Sequence, residues 1–250
     1  MKVLSVIGIT KSGKTTTVEN IIQELRSRGY SVGSVKEIHY EQFQIDRDGT
    51  NTDRHKKAGS TLVTARGMKE TDVLYPSMLP MSRILSFYDH DFVILEGVHD
   101  INAPVIITAH NTGEIDERMD YRTLAVSGMI AGEIQSYKGL AVINCITGTK
   151  KLVDLIEEKV PELMPDFDAD CCSDCGYDCH TALQKILSGE MKRDCCSINK
   201  SNKGNITLSV NGHELKMVPF VKRILKNAVL GVVKELDGFE NDAEIKIIIE

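Results

Sequence analysis

Apolar and polar positions along the first 160 residues fall into two alternating patterns. Short, mostly apolar runs recur at Lys2–Ile9, Ser31–Lys36, Phe92–Leu95, Val105–Thr108, Leu124–Ser127 and Leu140–Ile143. Runs of this kind predict strands covered on both faces, as in a parallel sheet. Helical spacing appears over Thr15–Arg28, where Val18, Ile21, Ile22 and Leu25 share one face and Glu24 faces Arg28 across a turn. Gly29 supplies the stop. The same spacing returns over Thr149–Val160. Thr61–Ala65 and Asp72–Leu74 are shorter strand candidates, and Leu79–Tyr88 reads as helix. Residues 37–60 follow neither period and predict a long polar loop, a length that usually carries function. Strands alternating with helices imply an α/β fold, a doubly wound and mostly parallel sheet.

Pro161 and Pro165 break this pattern. A cysteine-rich stretch follows to Ser197, then a polar spacer. Beyond it Ile206, Leu208 and Val210 alternate, Asn211-Gly212 signals a hairpin, and Leu215 and Met217 alternate again. Pro219 opens a helical stripe through Val221, Ile224, Leu225, Ala228, Val232, Val233 and Leu236. Gly238 is placed to stop it, and Ile245, Ile247 and Ile249 form a closing strand. The expected organisation is a nucleotide-binding domain over 1–166, a four-cysteine module over 167–197 and a small ββαβ docking module over 204–250.

The first strand runs into Gly8-Ile9-Thr10-Lys11-Ser12-Gly13-Lys14-Thr15, which fits G-x-x-x-x-G-K-[ST] between a strand and a helix. The glycines let backbone N–H groups turn inward on phosphate oxygens. The helix start adds a charge of roughly +0.5 and unpaired donors. Gly8, Lys11, Ser12, Gly13, Lys14, Thr15 and Thr16 are the expected phosphate-binding residues, with Lys14 on the β- and γ-phosphates and the Thr15 hydroxyl on Mg²⁺. Asp91 to Gly97 reads as a strand ending in a carboxylate, Glu96, where a second magnesium-directed acid is expected to act through a metal-bound water. Lys36 leaves the second strand at the nucleotide end of the sheet and can offset phosphate charge, and Asp46 or Asp53 can reach metal through water.

A net charge of −6 argues against general nucleic-acid or acidic-membrane binding. No apolar run approaches the roughly 18 residues of a spanning helix. The apolar run at Val3–Ile9 is too short for a signal peptide, so a cytoplasmic protein is expected.

The phosphate loop, Lys36 with His39, the Ile45-Asp46…Gly49…Asp53 run, Lys57-Ala58-Gly59 and Asp91…Leu95-Glu96-Gly97 together resemble the molybdopterin-guanine dinucleotide biosynthesis protein B (MobB-type) family over residues 1–160. The resemblance implies a GTP-binding, weakly hydrolysing homodimer that serves the molybdenum cofactor guanylyltransferase or a molybdenum or tungsten enzyme. Lys14 and Glu96 would be its catalytic residues. Two departures stand out. Tyr40 follows His39 where that family often has a second His. Asn144-Cys145-Ile146-Thr147 lacks the Lys and Asp of a guanine-reading Asn-Lys-x-Asp, so GTP rather than ATP rests on the resemblance.

Six of the seven cysteines lie between Cys171 and Cys196. In a reducing compartment such clustering points to metal. Cys172, Cys175, Cys179 and Cys195 supply four thiolates, suited to a [4Fe–4S] cluster or to zinc. Cys171 and Cys196 can replace their neighbours, and Cys145 reads as a small buried hydrophobe. The pattern is similar to a small iron–sulfur domain of redox and corrinoid proteins, with one residue fewer between Cys175 and Cys179. Two functions are therefore expected in competition. One is a slow GTPase in cofactor assembly. The other is a nucleotide-gated metal carrier or sensor, or an adaptor protein, without significant turnover.

Overall fold

The computed structural model describes residues 1–164, 175–196, 208–210, 213–215 and 219–236. Its centre is a five-stranded parallel sheet. The strands are β1 (Lys2–Gly8), β2 (Val32–Lys36), β5 (Phe92–Glu96), β6 (Val105–Thr108) and β7 (Thr123–Ser127), ordered β2-β5-β1-β6-β7. Two faces explain the unbroken apolar runs. Leu4, Val6, Ile94 and Ile106 point to one side, where they meet Val18, Ile21 and Leu25 of α1 (Lys14–Ser27) and Leu152, Val153 and Ile156 of α5 (Thr149–Lys159). The intervening residues Val3, Ile7, Val93 and Ile107 feed two smaller clusters on the other side. Each fully buried Ile or Leu here contributes about 1.5–3 kcal/mol. The expected α/β class is the one observed.

Residues 37–60, expected as loop, contain α2 (Asn51–Lys57). Its sequence NTDRHKK has no apolar stripe and buries only Asp53, so periodicity had nothing to register. The two short strand candidates become β3 (Val63–Arg66) and β4 (Thr71–Leu74), an antiparallel pair outside the main sheet. The expected helix over 79–88 is only α3 (Met81–Leu85), starting after Pro80. A second short helix, α4 (Thr112–Asp116), carries too few apolar positions to be foreseen. Leu140–Ile143 does not form a full strand. A turn at Lys138-Gly139, both with positive φ, folds β9 (Leu140–Ala141) back on β8 (Ser136–Tyr137), leaving Val142 one parallel bridge to Val126.

The described cysteine segment is built on α6 (Cys179–Ser188). Asp178 caps it by accepting from the N–H groups of His180 and Thr181, and Gly189 ends it in the left-handed region, as its position predicts. Ala182 and Leu183 are buried with Met164, and Leu187 packs against the core shared by α1 and α5. Residues 1–197 thus form one compact unit and 198–250 a second. In the second, β10 (Leu208–Val210) pairs antiparallel with β11 (His213–Leu215), and α7 spans Pro219–Val233. The expected stop at Gly238 and the closing strand at 245–249 lie outside the described residues. No helix among the described residues is long and apolar enough to cross a membrane.

Candidate functional site: a phosphate loop closed by strand-end residues

The loop between β1 and α1 is held from beneath by residues far away in sequence. Ser12 is fully buried; its Oγ donates to the Ile9 carbonyl at 2.8 Å and lies 2.7 Å from Thr108 Oγ1 at the end of β6. A Cβ on Gly8 would sit 2.2 Å from the Thr108 carbonyl oxygen. Gly13 takes φ +103 and Lys11 φ +63, so the chain curls through the left-handed region twice. His110 Nε2 lies 3.1 Å from the Lys11 carbonyl oxygen and its Nδ1 3.2 Å from Glu114 Oε2. Gly128, just past β7, lets the Ser12 carbonyl pass: a Cβ there would meet that oxygen at 2.2 Å. No side chain caps α1 and no acid lies in its first turn, which keeps its N-terminus electropositive.

The parallel register then assembles the charged residues. Lys36 and Val6 are both partners of Glu96, so the ends of β2, β5 and β1 lie side by side. Glu96 Oε1 accepts from Thr15 Oγ1 at 2.7 Å and from Lys36 Nζ at 2.8 Å. Burial alone would raise the Glu96 carboxyl. The bonds from Lys36 and Thr15 and the charge of Lys14 outweigh it and hold the group below its ordinary value, a carboxylate at neutral pH. Lys14 Nζ donates to the Gly8 and Ile9 carbonyls at 2.9 and 2.5 Å. Burial lowers its ammonium from the ordinary value; Glu96 opposes this, and the positive charges of Lys36 and Arg118 add to it.

Thr15, Lys36 and Glu96 are therefore brought together with Gly8, Lys11, Ser12, Gly13 and Lys14. Thr16 is exposed on the first turn of α1, where its carbonyl accepts from Asn20. Asp46 is not brought to them. Its carboxylate is bound within its own loop by Lys56 at 2.9 Å, Thr50 at 2.7 Å and Thr52 at 2.9 Å, which hold it well below the usual carboxylate range. Asp53 accepts from Gly49 N–H and Lys57, while Thr50 caps the helix through Asp53 N–H. The Asp46…Gly49…Asp53…Lys57 spacing is thus the wiring of a capped α2. Asn144 likewise spends its Oδ1 on Ile146 and Thr147 N–H, closing its own turn.

Thr108, His110, Glu114, Arg118 and Gly128 went unnoticed in the sequence. Their only signal was position: Thr108 and Gly128 sit at or just past the C-terminal ends of apolar runs, where such a fold places ligands.

Among the cysteines, Cys145, Cys179 and Cys196 are buried, Cys175 is half-buried and Cys195 is exposed. Cys172 lies outside the described residues. Among the described residues no three His, Cys, Asp or Glu converge as a metal site. The expected cysteine ligands thus match a cluster in chemistry, and the described ones do not match it in placement.

Over its whole length the chain is 27% identical to a provisionally named molybdopterin-guanine dinucleotide biosynthesis adapter protein of Methanocaldococcus jannaschii, covering 98% of that relative. It is 30% identical over 109 residues to the adapter protein of the same name in Haemophilus influenzae, covering 42% of this chain and 61% of that one. The crystal structure of Bacillus subtilis MobB superposes with a TM-score of 0.54 at 20% identity, covering 64% of this chain and 99% of that one, a likeness of fold. The sequence profile of the family described as molybdopterin guanine dinucleotide synthesis protein B matches residues 3–128, and the chain belongs to that family.

Proposed function

We propose that the protein is a GTP- and Mg²⁺-binding adapter in the assembly of molybdopterin guanine dinucleotide, with slow GTP hydrolysis. The observation that carries this reading is the Thr15–Glu96–Lys36 contact above a loop whose first glycine, Gly8, leaves no room for a Cβ. The residues present fit the ligands. Backbone N–H groups of the loop and Lys14 would hold the phosphates, and Thr15 with Glu96 would hold Mg²⁺, which neutralises phosphate charge when bound. Lys36 then keeps a cation beside the carboxylate. The choice of GTP rests on family membership, as does a guanylyltransferase as partner. Homodimerisation is supported by large apolar side chains left exposed between β3 and α3, among them Met68, Val73 and Met78.

Calorimetry with GTP and ATP, each with and without Mg²⁺, tests this reading. GTP is expected to bind more tightly, and Glu96→Gln to remove most of the Mg²⁺ dependence while leaving the fold intact. Equal affinity for ATP, or an unchanged Mg²⁺ dependence in the variant, would contradict it. Turnover that stays at background with every partner would favour the carrier reading instead.

The cysteine segment is proposed to hold a [4Fe–4S] cluster, with zinc as the alternative, through Cys172, Cys175, Cys179 and Cys195. Its support is thiolate number and spacing, and no chemical step is routed through it. Anaerobically purified protein is expected to be brown, with iron and sulfide in equal amounts. A colourless protein with stoichiometric zinc would reverse the choice of metal.

A further inference from the structure

The loop that leaves Glu96 does not end in solvent. Gly97 turns with φ +81 and its N–H donates to the Val6 carbonyl at 3.0 Å, tying the start of the loop to β1. Val98 is buried and its carbonyl accepts from Ser5 Oγ at 2.7 Å. Arg122 then clamps the middle: its Nη1 donates to the His99 and Ile101 carbonyls, both at 2.8 Å. Asp120 holds that guanidinium from the other side through Nε and Nη2 at 3.0 and 2.7 Å. The loop finishes on Asn102, which is 1% exposed and donates from Nδ2 to the carbonyl of Cys179 at 3.1 Å. Tyr121 completes the junction. Its hydroxyl lies 3.4 Å from Asn102 Oδ1, and its ring stacks on His180 with centroids 5.1 Å apart. Six residues thus run from the carboxylate beside the phosphate loop to the first turn of the cysteine helix, anchored at nearly every step.

We infer that loop 97–102 links occupancy of the nucleotide site to the position of α6, with Asn102 and Arg122 as its positioning residues. The inference rests on the nucleotide reading above and adds to it a second place where the ligand is felt. Glu96 shares one oxygen between Thr15 and Lys36, so a cation or phosphate arriving there redistributes those bonds. A free loop would absorb the change in its own dihedrals. This one is held by β1, Arg122 and Asn102, and a packed interior passes a displacement on rather than damping it. The Asn102 amide is buried against the Cys179 carbonyl, and breaking a buried hydrogen bond costs more than moving with it, so α6 follows the loop more readily than it separates from it. Linkage makes the effect reciprocal for binding: a change at α6 must alter nucleotide affinity.

Hydrogen exchange on the full chain, with and without saturating GTP and Mg²⁺, tests the link. Amides of residues 179–188 are expected to change their exchange rate by at least about 5-fold in the wild type, the lower end of ordinary coupling. Asn102→Ala is expected to bind GTP and lose that response. Should Asn102→Ala fold poorly, His180→Ala removes only the exposed ring stacked on Tyr121, and it is expected to shift the GTP Kd. A purely structural role for these contacts would lower stability and leave both readouts unmoved. GTP binding with unchanged exchange at α6 would overturn the inference and spare the nucleotide reading. Absence of GTP binding by the wild type would overturn both.

Discussion

Lys14→Ala abolishes GTP binding in the expected result, with the fold retained. The ammonium is pre-positioned across the mouth of the loop by the Gly8 and Ile9 carbonyls. Phosphate oxygens replace these neutral acceptors with charged ones, and a hydrogen bond to a charged group contributes about 1.5–3 kcal/mol. Two such bonds make the loss roughly 100-fold or more in Kd. Alanine is the best helix former and Lys14 opens α1, so the helix does not suffer. Isothermal calorimetry measures the affinity and circular dichroism the fold. Micromolar affinity in the variant would defeat the assignment of the loop.

Gly128→Ala is expected to damage the site from underneath, by distorting the same loop without touching a ligand. Gly128 has φ +83, where a side chain costs roughly 1–2 kcal/mol. The added methyl would meet the Ser12 carbonyl oxygen at 2.2 Å, Ala109 N at 3.0 Å and Thr108 Cβ at 3.0 Å. None of these is the free end of a flexible chain, so relief must come from backbone, and overpacking adds about 1–3 kcal/mol. Thermal or urea unfolding should therefore show a loss of about 3 kcal/mol, accompanied by weaker GTP binding. A control at Gly139, where an added Cβ meets open space, separates strain from collision, since its φ of +81 is similar. Equal effects at the two positions would mean that the contact with Ser12 does not matter.

Gly13 and Gly128 mark the limit of what local sequence specifies. Gly13 belongs to a contiguous motif, and its role follows from local spacing. Gly128 belongs to nothing local; it matters because β7 lies beside β6 and ends at the level of Ser12. Asp46 makes the opposite point. It was expected at the nucleotide because its loop emerges at the right end of the sheet, but Lys56, Thr50 and Thr52 claim its carboxylate for α2. Side-chain competition within a polar loop is settled by geometry that residue types do not reveal.

The amino-acid sequence by itself determined the α/β class, the strands of the sheet, the phosphate loop and the candidacy of Lys36 and Glu96. It could do so because buried parallel strands leave continuous apolar runs and a phosphate loop is a short contiguous signal. Tertiary structure alone decided which strands are neighbours, and so which strand-end residues share a site. Order β2-β5-β1-β6-β7 puts Lys36 against Glu96, which also meets Thr15, and it seats Thr108 and Gly128 beneath the loop. It also decided that the helix carrying Cys179 rests on Asn102 rather than standing apart. The Lys36–Glu96 and Ser12–Thr108 contacts join residues 60 and 96 positions apart along the chain; they arise from packing, which no local pattern encodes.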